Sequence, residues 1–254
     1  MASPNEESTL IWLRREPAGR RPRYSREQIA RAALTIADAE GFDAVTMKRI
    51  SAELGAGTMT LYYYVRNKAD IVTLMQDAIL EDVLIPAEEL PEGWREGVTA
   101  ISRRTWDVLT RHPWSISSLN QAQFGPNAMR HYEQSLAVLR HTNLTGQQKI
   151  ELTAIVDAHV AGNAIHAIET QERIRAAASD PTLIQDAMAY GQKLVAGGDF
   201  PELQALAASP PDQAEEPEAA VSARFTEGLA TRFTKGLAAL LDGLERSYAI
   251  TSTG

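Results

Sequence analysis

TMKRISAELGAGTMTLYYYVRNK, residues 46–68, is the stretch on which the fold turns. Two short helical patterns sit in it, separated by one Gly-rich break. In the first, Ile50, Ala52 and Leu54 are the apolar positions, leaving Lys48, Arg49 and Glu53 for solvent. Gly55 supplies the left-handed residue that ends a helix at little cost, and Ala56 and Gly57 complete a tight connection. The second pattern, residues 58–65, turns Met59, Thr60, Tyr63 and Tyr64 outward if Leu61, Tyr62 and Val65 face inward. Asn67 is placed to cap a further helix that opens at Lys68. Two helices joined by so short a turn, the second carrying hydroxyls and aromatics, form a helix-turn-helix. This is the unit expected to read DNA.

The flanks agree with that placement. Upstream, Ser25 and Gln28 have capping-box spacing, and Ile29, Ala33, Ile36 and Ala37 recur at helical intervals until Gly41 stops the helix. Downstream, Ile71, Leu74, Met75, Ala78, Ile79 and Val83 make one apolar stripe over residues 68–85, ended by Pro86. Residues 1–24 are polar and rich in Pro and Arg, with Arg20, Arg21 and Arg23 crowded at their end. They read either as an arm that touches DNA or as a solvated tail.

Gly41-Phe42-Asp43-Ala44-Val45-Thr46, then Leu54-Gly55, then Thr60-Leu61-Tyr62-Tyr63-Tyr64-Val65 with Asn67-Lys68, resemble the N-terminal domain of TetR-family repressors over residues 25–84. A second resemblance, to the tetracycline-repressor-like C-terminal branch, rests on His112-Pro113-Trp114, Gly125-Pro126-Asn127, Gly236-Leu237 and Leu244-Glu245. It implies an all-α chain: a flexible basic extension over 1–24, a helix-turn-helix domain over 25–70, and a ligand-binding and dimerisation domain over 71–254. By the first resemblance Lys48, Thr58, Met59, Thr60, Tyr62, Tyr63, Tyr64 and Lys68 are the DNA-binding candidates. Thr hydroxyls suit phosphates or base edges, Tyr hydroxyls suit phosphates, and Tyr62 is assigned mainly to the core. Tyr64 stands where the tetracycline repressors carry His, and Lys48 where Arg is common. Those departures bear on the operator sequence, not on the mode of binding.

Composition fits this organisation. The chain has 254 residues and a net charge of −8, which splits unevenly. Residues 1–68 hold 11 Lys and Arg against 8 Asp and Glu, whereas the remainder holds 14 against 25. A cationic head on an anionic body orients the molecule toward phosphate. There is no Cys, hence no disulfide framework and no thiolate metal site. No apolar run approaches a membrane span, so a cytoplasmic protein without a membrane partner is expected.

The second domain reads as consecutive helices, at 94–111, 113–121, 126–141, 146–178, 181–195, 201–208 and 218–248, with a Pro- and acid-rich loop at 209–217 expected to be mobile. Trp106, His112, Trp114, Asn120, Phe124, Met129 and Tyr132 cluster in sequence, and His159, Asn163 and His166 share one face of the long helix with Leu152, Ile155 and Val156. Those ten polar and aromatic residues are the ligand-binding candidates, lining a mostly apolar pocket; a core of satisfied polar groups is the alternative. His159 and His166 stand two turns apart, too far to share one metal ion comfortably, so neither a metal nor a cofactor is expected. Phe225, Leu229, Phe233, Leu237, Leu240, Leu241 and Leu244 form a broad apolar band on the last helix. With Ala154, Ala158, Ala161 and Gly162 it suits a four-helix dimer interface, unless both faces serve the intrachain core.

The expected function is a homodimeric repressor on a palindromic double-stranded operator, released by a small apolar or aromatic effector. The resemblance suggests an efflux pump or a biosynthetic enzyme as the regulated product. The alternative is a helical carrier or enzyme without specific DNA binding. Against an enzyme, the chain holds no HExxH, Walker or dinucleotide fingerprint.

Overall fold

The computed structural model describes residues 10–16, 24–117, 125–208 and 218–252. Among them the chain is helical: α1 (Arg26–Glu40), α2 (Met47–Glu53), α3 (Thr58–Leu61), α4 (Lys68–Glu81), α5 (Trp94–Arg111), α6 (Trp114–Ser117), α7 (Pro126–Ala137), α8 (Gly146–Ser179), α9 (Pro181–Ala196), α10 (Pro201–Ala208) and α11 (Glu218–Tyr248). The described residues hold no strand, only an isolated bridge between Thr142 and Ser252. Two compact units result, one of Met1–Ala164 with Leu237–Gly254, the other of Ile165–Gly236. The loop expected at 209–217 and Arg20, Arg21 and Arg23 lie outside the described residues.

Local chemistry accounts for the helix ends in the first unit. Ser25 and Gln28 close the capping box that opens α1. Thr46 caps α2 by accepting from Arg49 N at 3.1 Å, and Asn67 caps α4 by accepting from Asp70 N at 2.9 Å. Gly55 takes a φ of 61°, and the Tyr24 hydroxyl donates to the carbonyls of Leu54 and Gly55, holding the turn from outside.

The core of the helix-turn-helix is continuous with the helices after it. Ile29, Ile36, Val45, Ile50, Leu61, Val65, Ile71 and Met75 bury in one cluster that also takes in Val108 of α5 and Trp114 of α6. Ala52, expected inside, is exposed, and Ser51 is buried in its place. The Ser51 hydroxyl donates to Lys48 O at 2.9 Å and lies 3.1 Å from that of Thr58, joining α2 to α3.

The expectation of a solvated extension over 1–24 does not hold for residues 10–16. Ile11–Leu13 forms a single 3-10 turn with Ile11 fully buried in the core. Arg14 pairs with Asp70, and Arg26 donates to the carbonyls of Ile11 (2.8 Å), Arg14 (2.9 Å) and Tyr64 (3.2 Å). Charge does here what apolar burial does elsewhere: both guanidinium groups find buried acceptors, although Arg14 Nε is left without one, and the segment is clamped to the end of the reading motif.

The α11 band also departs from expectation. Leu229, Phe233, Leu237, Leu241 and Leu244 are buried within the chain itself, so these residues serve the intrachain core. Ala154, Ala158 and Gly162 of α8 remain exposed. In the second unit, α9 and α10 fold against each other, with Gln204 Nε2 donating to Val195 O.

Gly55 carries a testable constraint. Its Cβ would meet nothing within 4 Å, so the left-handed backbone alone resists substitution. Gly55→Ala should cost about 1–2 kcal/mol, read as a lower midpoint in denaturant with an unchanged slope.

Candidate nucleic-acid interface and effector cavity

α3 is one turn long, and this short helix sets the orientation of its aromatics. The chain leaves helical phase at Tyr62, with Tyr64 N and Val65 N both bonding to Leu61 O. Tyr64 therefore turns inward, 6% exposed, and Tyr62 outward, 47% exposed, the reverse of the helical reading. Met59 and Tyr63 are the most open large side chains of the motif, at 74% and 75%. Thr58 and Thr60 are half-buried beside them, and Lys48 and Lys68 are exposed. The outward surface thus comprises Lys48, Thr58, Met59, Thr60, Tyr62, Tyr63 and Lys68. Tyr64 belongs to the core.

Behind that surface runs a connected set of contacts into the following helices. The Lys68 ammonium sits 4.6 Å from the centroid of the Phe42 ring, and Phe42 stacks on Trp114 at 6.0 Å with an interplanar angle of 4°. Asp38 of α1 accepts from Trp114 Nε1 at 3.0 Å and lies 2.8 Å from His112 Nδ1. His112 and Trp114, expected in the ligand pocket, therefore fasten the α5–α6 corner to the reading domain. Asp38 is 74 residues from His112 in sequence, and no local pattern announces the pairing.

A second carboxylate does similar work on α4. Asp77 is buried and accepts from the backbone N–H of Asn127 and of Ala128, both at 3.0 Å, capping α7 from another helix. Asn127 Nδ2 returns a bond to Asp77 O at 3.1 Å. Burial raises the Asp77 carboxyl above its ordinary range, and the two backbone bonds oppose that rise. Gly125 is the residue that permits this approach: a Cβ there would collide with the Asp77 carboxylate and the Trp12 ring. Further bonds join the same layers: Gln76 Nε2 to Ser115 O, Arg104 Nε to Asp82 O, and Gln134 with Ile85 through both backbone groups. An acid inside the α4 apolar stripe and the Gly125-Pro126-Asn127 motif are the sequence signals of this junction.

Between α5, α7 and α8 lies a narrow cavity with about 20 Å³ of room for the centre of a water-sized sphere, within about 300 Å³ of empty space that includes its open mouth. Val98, Ile101, Ser102 and Thr105 line it from α5, Ser135 and Val138 from α7, and Leu152, Thr153, Val156 and Asp157 from α8. None of the ten ligand-binding candidates is among these residues, although Leu152 and Val156 were placed on the relevant face. Met129 is exposed, Trp106 and Tyr132 are half-buried, and Asn120 and Phe124 lie outside the described residues. His159 and Asn163 continue along α8 past the cavity, Asn163 donating to His159 O at 2.9 Å, and His166 is exposed. No group of three or more metal-ligating side chains occurs among the described residues.

The cavity's one acid has an unusual setting. Asp157 keeps accessible surface, yet protein atoms crowd its carboxyl and push it up to about 6. On α7, one turn before Ser135, His131 has a buried Nδ1 without a partner among the described residues, and burial pushes its pKa down, toward the neutral ring. A larger open groove between α1, α4 and the start of α7 is paved with charges that pair internally, Arg31 with Glu27 and Glu81 among them.

Comparison with known proteins decides the family. Residues 29–75 match the model of bacterial regulatory proteins of the tetR family, and residues 86–248 match the tetracyclin repressor-like C-terminal domain. The chain belongs to the tetR family. It is a ligand-regulated, DNA-binding transcriptional repressor. The HTH-type transcriptional repressor DrrR1 of Streptomyces coeruleorubidus is 33% identical over 202 residues, covering 78% of this chain and 74% of that protein. Among solved structures, ActR of Streptomyces coelicolor in complex with actinorhodin is 25% identical, with a TM-score of 0.67 over 89% of this chain and 97% of that one. ActR in complex with (S)-DNPA gives a TM-score of 0.63 at the same identity, over 89% and 98% of the two chains. No helix among the described residues of this tetR-family chain is long and apolar enough to cross a membrane.

Two outcomes follow from these geometries. Asp38→Ala strands the buried His112 and Trp114 donors and should cost about 1–3 kcal/mol. A double-mutant cycle with His112→Ala should return a coupling of at least about 0.5 kcal/mol by denaturant unfolding. For Asp157 the folded carboxyl titrates above its unfolded value. Its contribution to stability is therefore full below the ordinary carboxylate range and lost as pH rises to about 6. Asp157→Asn should raise the melting temperature at neutral pH and leave it nearly unchanged in acid.

Proposed function

We propose that the protein works as a homodimer in which each protomer sets Thr58, Met59, Thr60, Tyr62 and Tyr63 into the major groove of half of a palindromic operator. Lys48 and Lys68 lie over phosphates. The observation that carries this reading is the pair Met59 and Tyr63, three-quarters exposed on a motif whose Ile50, Leu61, Tyr64 and Val65 are buried. Large apolar groups held open by a rigid scaffold mark a contact surface. The exposed Ala154, Ile155, Ala158 and Gly162 of α8 support a face for the second protomer. The protein acts by binding rather than turnover, as the naming of its relatives as repressors and regulators suggests, and works in the cytoplasm.

The effector enters the α5–α7–α8 cavity. Only about 20 Å³ of this space admits the centre of a water-sized sphere, far below a ligand pocket, so any aromatic effector has to widen it. Widening displaces α5 or α7, which Arg104, Gln134 and Asp77 fasten to α4 and its approach to the reading motif. Only a ligand that prefers the displaced arrangement releases DNA. That ActR was solved with actinorhodin supports an aromatic effector here.

Fluorescence anisotropy on duplex DNA from upstream of the protein's own gene, beside a scrambled duplex, tests the DNA half of the proposal. Specific binding with a steep salt dependence is expected. Tyr63→Ala should weaken it about tenfold or more while dimerisation and ligand binding stay intact. Equal loss of all three would return Tyr63 to a structural role. Weak binding to both duplexes, and to fragments selected from the whole genome, would favour a carrier.

A further inference from the structure

We propose that the α5–α7–α8 cavity selects a cationic effector: an apolar molecule bearing a protonated amine, which Asp157 binds as its counter-ion. The inference rests on the reading of this cavity as the effector site and adds the chemistry it accepts.

The lining carries five aliphatic side chains, four hydroxyls and one ionisable group, the Asp157 carboxylate. No Lys, Arg or His is among the described lining residues, and no cation pairs with Asp157 there. The hydroxyls decide which hydrogen-bonding partner fits. Thr105 donates to Ile101 O at 2.9 Å, Ser135 to His131 O at 3.0 Å, and Thr153 to Lys149 O at 2.9 Å. Each has committed its one proton to the preceding turn of its own helix, so what it turns toward the cavity is lone pairs. With the carboxylate, these three make the polar atoms of the wall mainly acceptors, Ser102 alone keeping an uncommitted hydroxyl proton among the described lining residues.

An ammonium group is the complement, with three donors and no acceptor. An anionic ligand finds one hydroxyl donor, Ser102, and meets a like charge. A neutral hydroxyl can satisfy one acceptor but leaves the carboxylate without a counter-ion. The raised Asp157 carboxyl agrees with a site whose cation arrives with the ligand, since above about 6 the group is ionised and crowded without a partner. His131, held toward its neutral form nearby on α7, does not compete for that role.

Naphthylmethylamine, naphthylmethanol and naphthoate have nearly one shape and differ in charge. Each is titrated calorimetrically at neutral pH into the intact protein, into Asp157→Asn, and into Thr105→Phe, which fills the cavity. Unaltered operator binding without ligand confirms that each variant is folded. The amine should bind about tenfold or more tightly than the alcohol, and the naphthoate more weakly than either. Asp157→Asn should abolish the amine's advantage and leave the alcohol's affinity alone, while Thr105→Phe weakens all three.

Equal affinity of amine and alcohol for the intact protein, or a preference that survives Asp157→Asn, overturns the charge assignment and leaves the cavity's role standing. Failure of all three probes to bind, or binding indifferent to Thr105→Phe, overturns the cavity's role and the charge assignment with it.

Discussion

A buried carboxylate has to be repaid in hydrogen bonds, and Asp77 is repaid by the first amides of another helix. Its oxygens take the N–H groups of Asn127 and Ala128 that α7 cannot satisfy internally. Removing either side leaves the other stranded at a buried site, so the register of α4 against α7 is fixed. Between α1 and the α5–α6 corner the burial is on the other side: Asp38 is exposed, and it is His112 and Trp114 that are buried and need its oxygen. In each case one acid accepts two donors, so a small slide of either helix breaks both bonds at once.

On the proposed reading, these fixed registers give the repressor a physical route between the cavity and the reading surface. α7 supplies both a wall of the cavity, through Ser135 and Val138, and the helix end that Asp77 caps. α5 supplies another wall and ends in the corner that Asp38 holds. Beyond the corner, Trp114 stacks on Phe42, and Phe42 supports Lys68 at the edge of the reading surface. A ligand that parts α5 from α7 must carry these partners along or break their bonds. Either response alters the posture of the reading motif, and this is the differential contact that ligand control requires.

The sequence made the framework legible because its signals are local. Ser25 with Gln28, Thr46, Gly55 and Asn67 mark helix ends within a few residues of where they act. Helical periodicity misplaces Tyr62 and Tyr64 because α3 stops at Leu61 and the two exchange faces beyond it, while Tyr63 and Val65 stay where the pattern puts them. His112 and Trp114 were sent to the pocket because a polar aromatic pair amid apolar residues suits a ligand. Their partner Asp38 is remote in sequence and could not weigh against that.

The cavity itself was hidden for the opposite reason. Its lining of Val, Ile, Ser and Thr looks like ordinary core, and nothing in spacing distinguishes a hydroxyl facing a void from one facing a neighbour. Residues 10–16 were hidden because their anchoring rests on Arg14 and Arg26 finding buried acceptors, and in sequence those arginines are only surface charge.

If Asp38 and Asp77 weld reading motif and effector helices together, the two must open as one cooperative unit. Native-state hydrogen exchange in rising denaturant, resolved by peptide, measures this directly. Amides of α1–α4 and of α5–α7 should converge on one opening free energy, and Asp38→Ala should separate them. Independent opening of α1–α4 in the unaltered chain, well below α5–α7, would contradict it.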